Sequence, residues 1–408
     1  MPWPLPNWRR LLAADFTMTA RSNECLRHIS IWCVLLLTLA ACVASTYAAT
    51  KPESLFFEDD LQLHQLQSAL TRSLSALRTV PPTTRYSIAG QMVPVQRLID
   101  SALHLQRFIQ SRPSEKALHH EIQRAYEAIE INRVAGAAPK RMLITGYFQP
   151  IFPGSLSRQP PYIHPLYRMP DDLLVRHKNG RKQVLGRREQ GTIVPYWTRR
   201  DIEQRNLLQG QELVWLKDPF DAFVLHIQGS GIIRLPDGSQ RGVHYAVNNG
   251  RDYRSIGKFL VNTGRMQLAE VSMDSIRRYI DQHPGERELI LHHNDSFIFF
   301  HWSPPGPAIG NLGRELTPGR SIAADQRWYP PGSLVFLDSR RPIMANGSVV
   351  EWKRMQRLVT VQDTGSALTG PGRIDIFWGT GDQAGEEAGQ MKEEGTAHLL
   401  LLKERLRE

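Results

Sequence analysis

The chain has 408 residues, of which 41% are hydrophobic and 22% charged, and a formal net charge of +10. That is a globular composition with room for about two or three domains. Its basic balance points to an anionic partner: nucleic acid, anionic lipid and an acidic polymer all qualify, with a solvated basic surface as the plain alternative. The only cysteines are Cys25, Cys33 and Cys42, which excludes a disulfide framework in the rest of the chain.

Met18 opens a better export signal than Met1. Arg21 and Arg27 form a basic region, and Ile29 to Ala41 is an apolar run that is short for a membrane span. It ends Leu39-Ala40-Ala41-Cys42, which resembles a bacterial lipobox, where the cysteine is lipidated and becomes the mature N-terminus. Ordinary signal cleavage near Ala48 is the bland alternative. The expected layout is a lipoprotein signal peptide over 1–41, a lipidated Cys42 and a polar tether over 42–54. Val43 rather than an aspartate after the cysteine implies, by that resemblance, the outer membrane. Loss of residues 1–41 removes four arginines and two acids and leaves about +8.

Helical spacing follows. Leu63, Leu66, Leu70, Leu74 and Leu77 form one stripe. Leu98, Ala102, Leu105 and Ile109 form a second, and Leu118, Ile122, Ala125 and Ile129 a third. All three are assigned to core packing. Met142-Leu143-Ile144 then reads as a strand with a sharp exit through Thr145-Gly146-Tyr147-Phe148. From about 153 to 287, prolines, glycines and short β-rich runs dominate. Phe223 to Gln228 reads as a strand, Gly229-Ser230-Gly231 as a bulge or turn, and Pro236 to Ser239 as a hairpin turn. Ser255 to Leu260 and Ser272 to His283 read as helices, with Ser272 as an N-cap. Strands are expected at Phe297 to Phe300 and Leu334 to Leu337, with a hairpin turn at Asn346-Gly347. Asp382 is expected to cap a short helix, and His398 to Leu402 to close the chain.

The stretch Leu358 to Gly381 carries the chemistry. A strand leads into Asp363-Thr364-Gly365, and a second, Ile374 to Trp378, contains Asp375 on the face opposite Ile374 and Ile376. A carboxylate inside an apolar strand suffers desolvation unless it is paired or lines a cleft. Two carboxylates delivered by two neighbouring strands are the raw material of acid/base chemistry. Asp-Thr-Gly is also an aspartic-protease signature, but that site needs two such aspartates sharing a proton, and the chain has no second copy. His292, His293 and His301 lack HExxH spacing or a cysteine partner, so no metal is expected. His119-His120 is read as solvated. Tyr196, Trp197, Trp215 and Tyr245 are either carbohydrate platforms or core.

Three aspartates stand in order: Asp325 in SIAAD, Asp363 in QDTGSALTG and Asp375 in GRIDIFWGTG. With TGYFQP (145–150), PYWTRRDIE (195–203), DPFDAFVLHIQGSGIIRLPDG (218–238), YRSIGKFL (253–260), MDSIRRYI (273–280) and LTPGRSIAAD (316–325), they cover most of residues 140–400 in order. The set resembles the three-aspartate domain family of membrane-bound lytic murein transglycosylase A. Ser366, where a second glycine is expected, and Gln326 depart from the pattern.

That resemblance implies a mainly β fold with N-terminal helices: a double-psi β-barrel domain with a second, smaller β domain inserted and a groove between them. The barrel domain would take residues 55–152 and 288–408, and the insertion 153–287. The implied reaction cleaves the β-1,4 bond between N-acetylmuramic acid and N-acetylglucosamine, with formation of 1,6-anhydro-muramic acid. Asp375 is expected to act as acid and then base, and Asp363 to orient and stabilise charge. Asp325 is either a third member or a loop cap. Thr145, Gly146 and Tyr147 are expected to line the groove opposite Asp375, and Gln228 to bond sugar hydroxyls or acetamides. Neither a cofactor nor a metal is required. The expected partners are peptidoglycan strands, outer-membrane lipid through Cys42, and proteins of cell-wall synthesis or division, with no nucleic acid. Competing readings are a non-catalytic murein-binding lipoprotein, a lipid-anchored aspartic protease using Asp363, and a conventional muramidase.

Overall fold

The computed structural model describes residues 55–131, 141–178, 181–365 and 367–406. The signal peptide, Cys42, the tether and Ser366 lie outside the described residues.

Helix α1 (Leu66–Leu77) buries Leu66, Leu70, Leu74 and Leu77, the stripe that predicts it. Gln62, Leu63 and Gln65 have positive φ, so Leu63 falls before the helix rather than in it. A hairpin of β1 (Arg85–Ile88) and β2 (Gln91–Pro94) leads into α2 (Val95–Ile109), which buries the second stripe. Helix α3 (Glu115–Ala125) starts at Ser114, whose Oγ accepts from Ala117 N at 3.3 Å. The third stripe does not run on to Ile129. Residues Tyr126–Glu130 form strand β3, paired antiparallel with residues 398–402. Ladder bonds to a distant segment override helical spacing there. His119 is buried, not solvated, and its Nδ1 accepts from Phe57 N at 3.1 Å.

The middle of the chain holds β4 (Met142–Gln149), β5 (Ile151–Ser155), β6 (His164–Tyr167), β7 (Leu174–Lys178), β8 (Arg181–Glu189), β9 (Thr192–Val194), α4 (Arg199–Gln204) and β10 (Glu212–Leu216). They are followed by α5 (Pro219–Gln228), β11 (Ser230–Arg234), β12 (Gln240–Asn248), α6 (Ile256–Asn262), α7 (Met273–Gln282), α8 (Arg287–Leu291) and β13 (Ile298–Ser303). Ser272 caps α7 as its position predicts, and Ser255, read as the first residue of its helix, is the N-cap of α6. One sheet runs β13-β12-β11-β5-β10-β6, with the Pro236–Ser239 turn joining β11 to β12. Leu166, Val214, Leu216, Ile233, Val243 and Phe300 pack into its core.

Two expectations fail in this region. Phe223 to Gln228 is helix α5, not a strand. Asp218 Oδ1 accepts from Phe220 N at 2.8 Å as the N-cap, Pro219 occupies the first turn, and Gly229 at φ 76° closes the C-terminus. Phe220, Phe223, Val224 and Leu225 are all buried, so the run shows no period that separates helix from strand. Gly229 therefore ends a helix rather than interrupting a strand. The second failure is at Thr145 to Phe148, which has no sharp exit and continues β4 without a break.

The C-terminal part contributes β14 (Ser321–Ala324), β15 (Leu334–Ala345), β16 (Ser348–Asp363), β17 (Arg373–Thr380), α9 (Asp382–Gln390) and β18 (Lys392–Leu402). Their sheet runs β15-β16-β14-β17-β4-β18-β3, and a further β15–β18 pairing closes six of these strands into a barrel. Closure removes the open sheet edges. The β15–β16 hairpin turns at Asn346-Gly347, both at positive φ, as the dipeptide predicts. Gly381, not Asp382, is the N-cap of α9, and Asp382 is its first residue. Val335, Val359, Ile374, Ile376, Leu399 and Leu401 fill the interior. Asp59, ahead of α1, ties the N-terminal segment to this barrel through a buried pair with Arg320 (2.6 and 2.7 Å).

Candidate active site

Strand β14 runs between β16 and β17. It pairs parallel with β16, where Ala323 is in register with Asp363, and antiparallel with β17, where Ala323 is in register with Asp375. The two carboxylates therefore come from strands separated by one, not from adjacent strands as the sequence suggests. On its other side β17 pairs parallel with β4. Asp375 is opposite Thr145, and Phe377 is opposite Tyr147. Thr145 and Tyr147 thus stand beside the two aspartates on the same barrel, not across a groove from them.

Asp375 is partly buried, with 18% of its side chain exposed. Its Oδ1 accepts from Thr145 Oγ1 and from Arg373 Nε at 3.2 Å. Arg373 Nη2 also reaches Thr145 Oγ1 at 3.3 Å, so the three groups form a closed triangle. Burial raises the Asp375 pKa, and Arg373 and Thr145 pull part of that rise back. Among the described residues no hydrogen-bond donor reaches Oδ2, which leaves it as the oxygen free to carry or take a proton. Arg373 is not among the residues predicted from sequence. It sits two positions before Asp375, on the same face of the strand, and period-two reading of GRIDIF points to it.

Asp363 ends β16. Its Oδ1 accepts from Thr364 N and Asn311 N, both at 2.9 Å, and its Oδ2 accepts from Tyr147 OH at 3.1 Å. Burial pushes its pKa up to about 6 against these three donors, and the Asp375 charge adds to the rise. Burial also raises Tyr147, with Asp363 as the next cause, so the phenol stays protonated as a donor. Asn311 belongs to the Gly/Pro-rich loop before β14, where nothing in the local sequence marks it.

Two cavities flank this row. One, of about 650 Å³, is lined by Asp363, Thr364, Asn311, Tyr147, Tyr245 and Ser230, among others. The other, of about 420 Å³, is lined by Thr145, Arg373, Tyr253 and Lys392, among others. Phe148, Ile227 and Gln228 line both, so the C-terminal end of α5 and the end of β4 form a shared wall. Gln228 Oε1 accepts from Phe148 N at 3.2 Å, which spends one of its hydrogen-bonding atoms on the protein. Among the described residues its amide nitrogen has no partner.

The remaining predicted residues separate. Gly146 lines the smaller cavity, but its reason is packing. A Cβ there would sit 2.6 Å from Trp378 Nε1 and 2.7 Å from Ala388 Cα. Neither Asp325 nor Asp375 lines a cavity directly, but Thr145 and Arg373, which hold Asp375, line the smaller one, whereas the partner of Asp325, Arg327, lines neither. Asp325 binds Arg327 (2.6 Å) and accepts from Gly370 N at 2.8 Å, and these bonds hold its pKa at about 2. Of its two expected roles, the loop cap fits these contacts. Tyr196 is core, Trp197 stacks on Arg187, Trp215 lines a third cavity, and Tyr245 is exposed in the larger one. His292 pairs with Glu203, His293 stacks on Phe259, and His301 stacks on His244.

The closed barrel and its paired carboxylates define a protein of the three-aspartate barrel class. Comparison with known proteins agrees. The MltA specific insert domain model matches residues 143–301, and the 3D domain model matches residues 320–401. Membrane-bound lytic murein transglycosylase A of Escherichia coli strain K12 is 31% identical over 258 residues, covering 63% of this chain and 64% of that protein. A membrane-bound lytic murein transglycosylase from Agrobacterium tumefaciens superposes with a TM-score of 0.67 at 26% identity, over 84% of this chain and 93% of that one. The lytic transglycosylase LtgG of Burkholderia pseudomallei is 30% identical with a TM-score of 0.50, over 84% and 91%. The chain belongs to the membrane-bound lytic murein transglycosylase A family. The matched stretch spans slightly under two thirds of the curated relatives' length.

Proposed function

We propose that this protein is a peptidoglycan lytic transglycosylase with Asp375 as its acid/base. The observation that carries the reading is the Asp375 carboxyl itself. It is partly buried with a raised pKa, one oxygen is held by Thr145 and Arg373, and no donor among the described residues reaches the other. In this reading a glycan runs along the shared wall of Phe148 and Gln228, past Thr145 and Arg373, which line the smaller cavity and hold the Asp375 carboxyl behind them.

The step balances with one carboxyl group. Protonated Asp375 donates to the glycosidic oxygen as the bond from C1 of N-acetylmuramic acid breaks. The C6 hydroxyl oxygen of the same sugar bonds to C1 and closes the 1,6-anhydro ring. Its proton passes to the Asp375 carboxylate, which is restored. Acid-then-base use of one group parallels retaining glycosidases, and such assistance supplies roughly 10²–10⁴-fold. Asp363, held by Asn311, Thr364 and Tyr147, places partial negative charge near the developing oxocarbenium ion.

In this reading residues 55–152 and 288–408 are the catalytic part, and 153–287 the inserted glycan-binding part. Lipidation of Cys42 would hold the protein on the periplasmic face of the outer membrane. Its partners there are glycan strands, anchoring lipid and proteins of cell-wall synthesis or division.

The test is mass spectrometry of products from purified murein, with a soluble form starting after Cys42 and its Asp375→Asn variant. Muropeptides ending in 1,6-anhydro-muramic acid, lost in a folded Asp375→Asn, are expected. Products one water heavier would make the protein a muramidase. Binding without cleavage would make it a binding module.

A further inference from the structure

The proton donor poses a physical conflict. An acid must be neutral to donate, yet a guanidinium bonded to its oxygen favours the ionised form. Arg373 is so placed, with Nε 3.2 Å from Asp375 Oδ1. The other groups around Asp375 do not resolve the conflict. Thr145 on β4 donates to the same oxygen. Asp363 and Tyr147 bond each other. Tyr253 feels both the Arg373 and the Asp375 charges, and burial raises its own pKa, so it stays neutral. Lys392 on β18 faces Thr145 in register, but its Nζ donates to Leu268 O at 2.8 Å.

Arg373 differs from the other cations of the 420 Å³ cavity. Arg277 is committed to Asp218 at 2.9 Å and to Asp221. Lys392 is committed to a backbone carbonyl. The partners of Arg373 are Asp375 and Thr145 alone among the described residues, and 35% of its side chain is exposed. Among the described residues that line this cavity, Arg277 is held by two carboxylates and Arg373 by one, so Arg373 has less to give up on changing partners, and the cavity gives it somewhere to turn.

We propose that Arg373 is a positioning residue for Asp375 and also a receptor for a substrate carboxylate. It holds the side chain of Asp375 until a carboxylate entering the smaller cavity draws the guanidinium away. The carboxyl group is then left in its apolar strand with Thr145 alone, where it takes a proton. The inference rests on the transglycosylase reading above. Its ligand chemistry is a carboxylate, carried either on the muramic acid lactyl group or on the stem peptide.

The experiment compares the parent, Arg373→Gln and Arg373→Lys. The substrates are peptide-free glycan strands with free lactyl carboxylates, the same strands converted to methylamides, and peptide-bearing strands with free or amidated peptide carboxylates. Circular dichroism confirms that each variant is folded. The parent should prefer one carboxylate form over its amide by roughly 10–100-fold in kcat/KM, the range of a charge-assisted hydrogen bond. Arg373→Gln should lose that preference and Arg373→Lys should keep part of it. The pH profile adds a readout that a structural role would not move. In the parent the alkaline limb of kcat, which reports the complex, should lie above that of kcat/KM, which reports the free enzyme. In Arg373→Gln the two limbs should coincide, because no guanidinium holds Asp375 in either state. A preference for lactyl carboxylate or for peptide carboxylate identifies the source, and both support the proposal. Equal use of all substrates by the parent, or an Arg373→Gln variant that keeps the preference, overturns it. No anhydro product from any substrate would instead overturn the transglycosylase reading itself.

Discussion

Asp363 and Asp375 flank a single small residue, Ala323, which is in register with both. With strands about 4.8 Å apart, their α-carbons lie on the order of 10 Å from each other. One charge is felt by the other, and among the described residues the two carboxyl groups share no hydrogen bond: Asp363 is held by Thr364, Asn311 and Tyr147, and Asp375 by Thr145 and Arg373. The pairing thus differs from an aspartic-protease dyad, in which two carboxylates hold one proton between them.

The first prediction concerns Asp363. Its pKa is about 6 in the folded protein, above the ordinary carboxylate value of 3.8. The folded state then binds more protons than the unfolded state between about pH 4 and 6, so stability falls as pH rises through that window. The full cost above it is about 2–3 kcal/mol. Asp363→Asn should be more stable than the parent at pH 7, equal to it near pH 4, and less active at both. Thermal melts at the two pH values check this; an Asn variant that gains nothing at pH 7 would contradict it.

Gly146 makes a purely steric prediction. An added methyl group meets Ala388 Cα at 2.7 Å, and backbone cannot yield as a side chain can. Gly146→Ala should push α9 off β4 and cost about 1–3 kcal/mol. Urea denaturation would show it as a lower midpoint with an unchanged slope.

Asp59 tests how the N-terminal segment is held. Both of its oxygens bond Arg320, which is fully buried, and Oδ2 also accepts from Leu358 N at 3.1 Å. Asp59→Asn leaves a buried guanidinium uncompensated and should cost roughly 3–5 kcal/mol. A loss below about 1 kcal/mol in chemical denaturation would mean that the pair is not buried in solution.

Asp325 has the opposite sign to Asp363. Its pKa is held at about 2, so it contributes stability above the ordinary carboxylate pKa that disappears as pH falls from about 4 towards 2. Asp325→Asn should cost about 2 kcal/mol at pH 7 and converge with the parent near pH 2. The anhydro character of the products should not change. An altered product type would make Asp325 a catalytic residue after all.

Much of the scaffold was legible from local signals. The stripes of α1 and α2, the Ser272 cap, the Pro236–Ser239 turn and the Asn346-Gly347 turn all act within a few residues. Phe223 to Gln228 was misread because a run buried all round has no period. Its end signals, Asp218-Pro219 and Gly229, were the better guide. Ile129 was misread because its strand exists only by pairing with the C-terminal strand.

The same division runs through the site. That Asp375 is a carboxylate trapped in an apolar strand, and hence a candidate acid, followed from residue types and a period of two, which are properties of the chain itself. Its partners did not follow. Thr145 lies 230 residues away in sequence, and Asn311 reaches Asp363 across 52. The order of strands around a closed barrel decides which residues are neighbours, and that order is set by long-range pairing, not by any local preference. So the sequence marked Asp375 as a candidate, while the fold determined which groups among the described residues hold it.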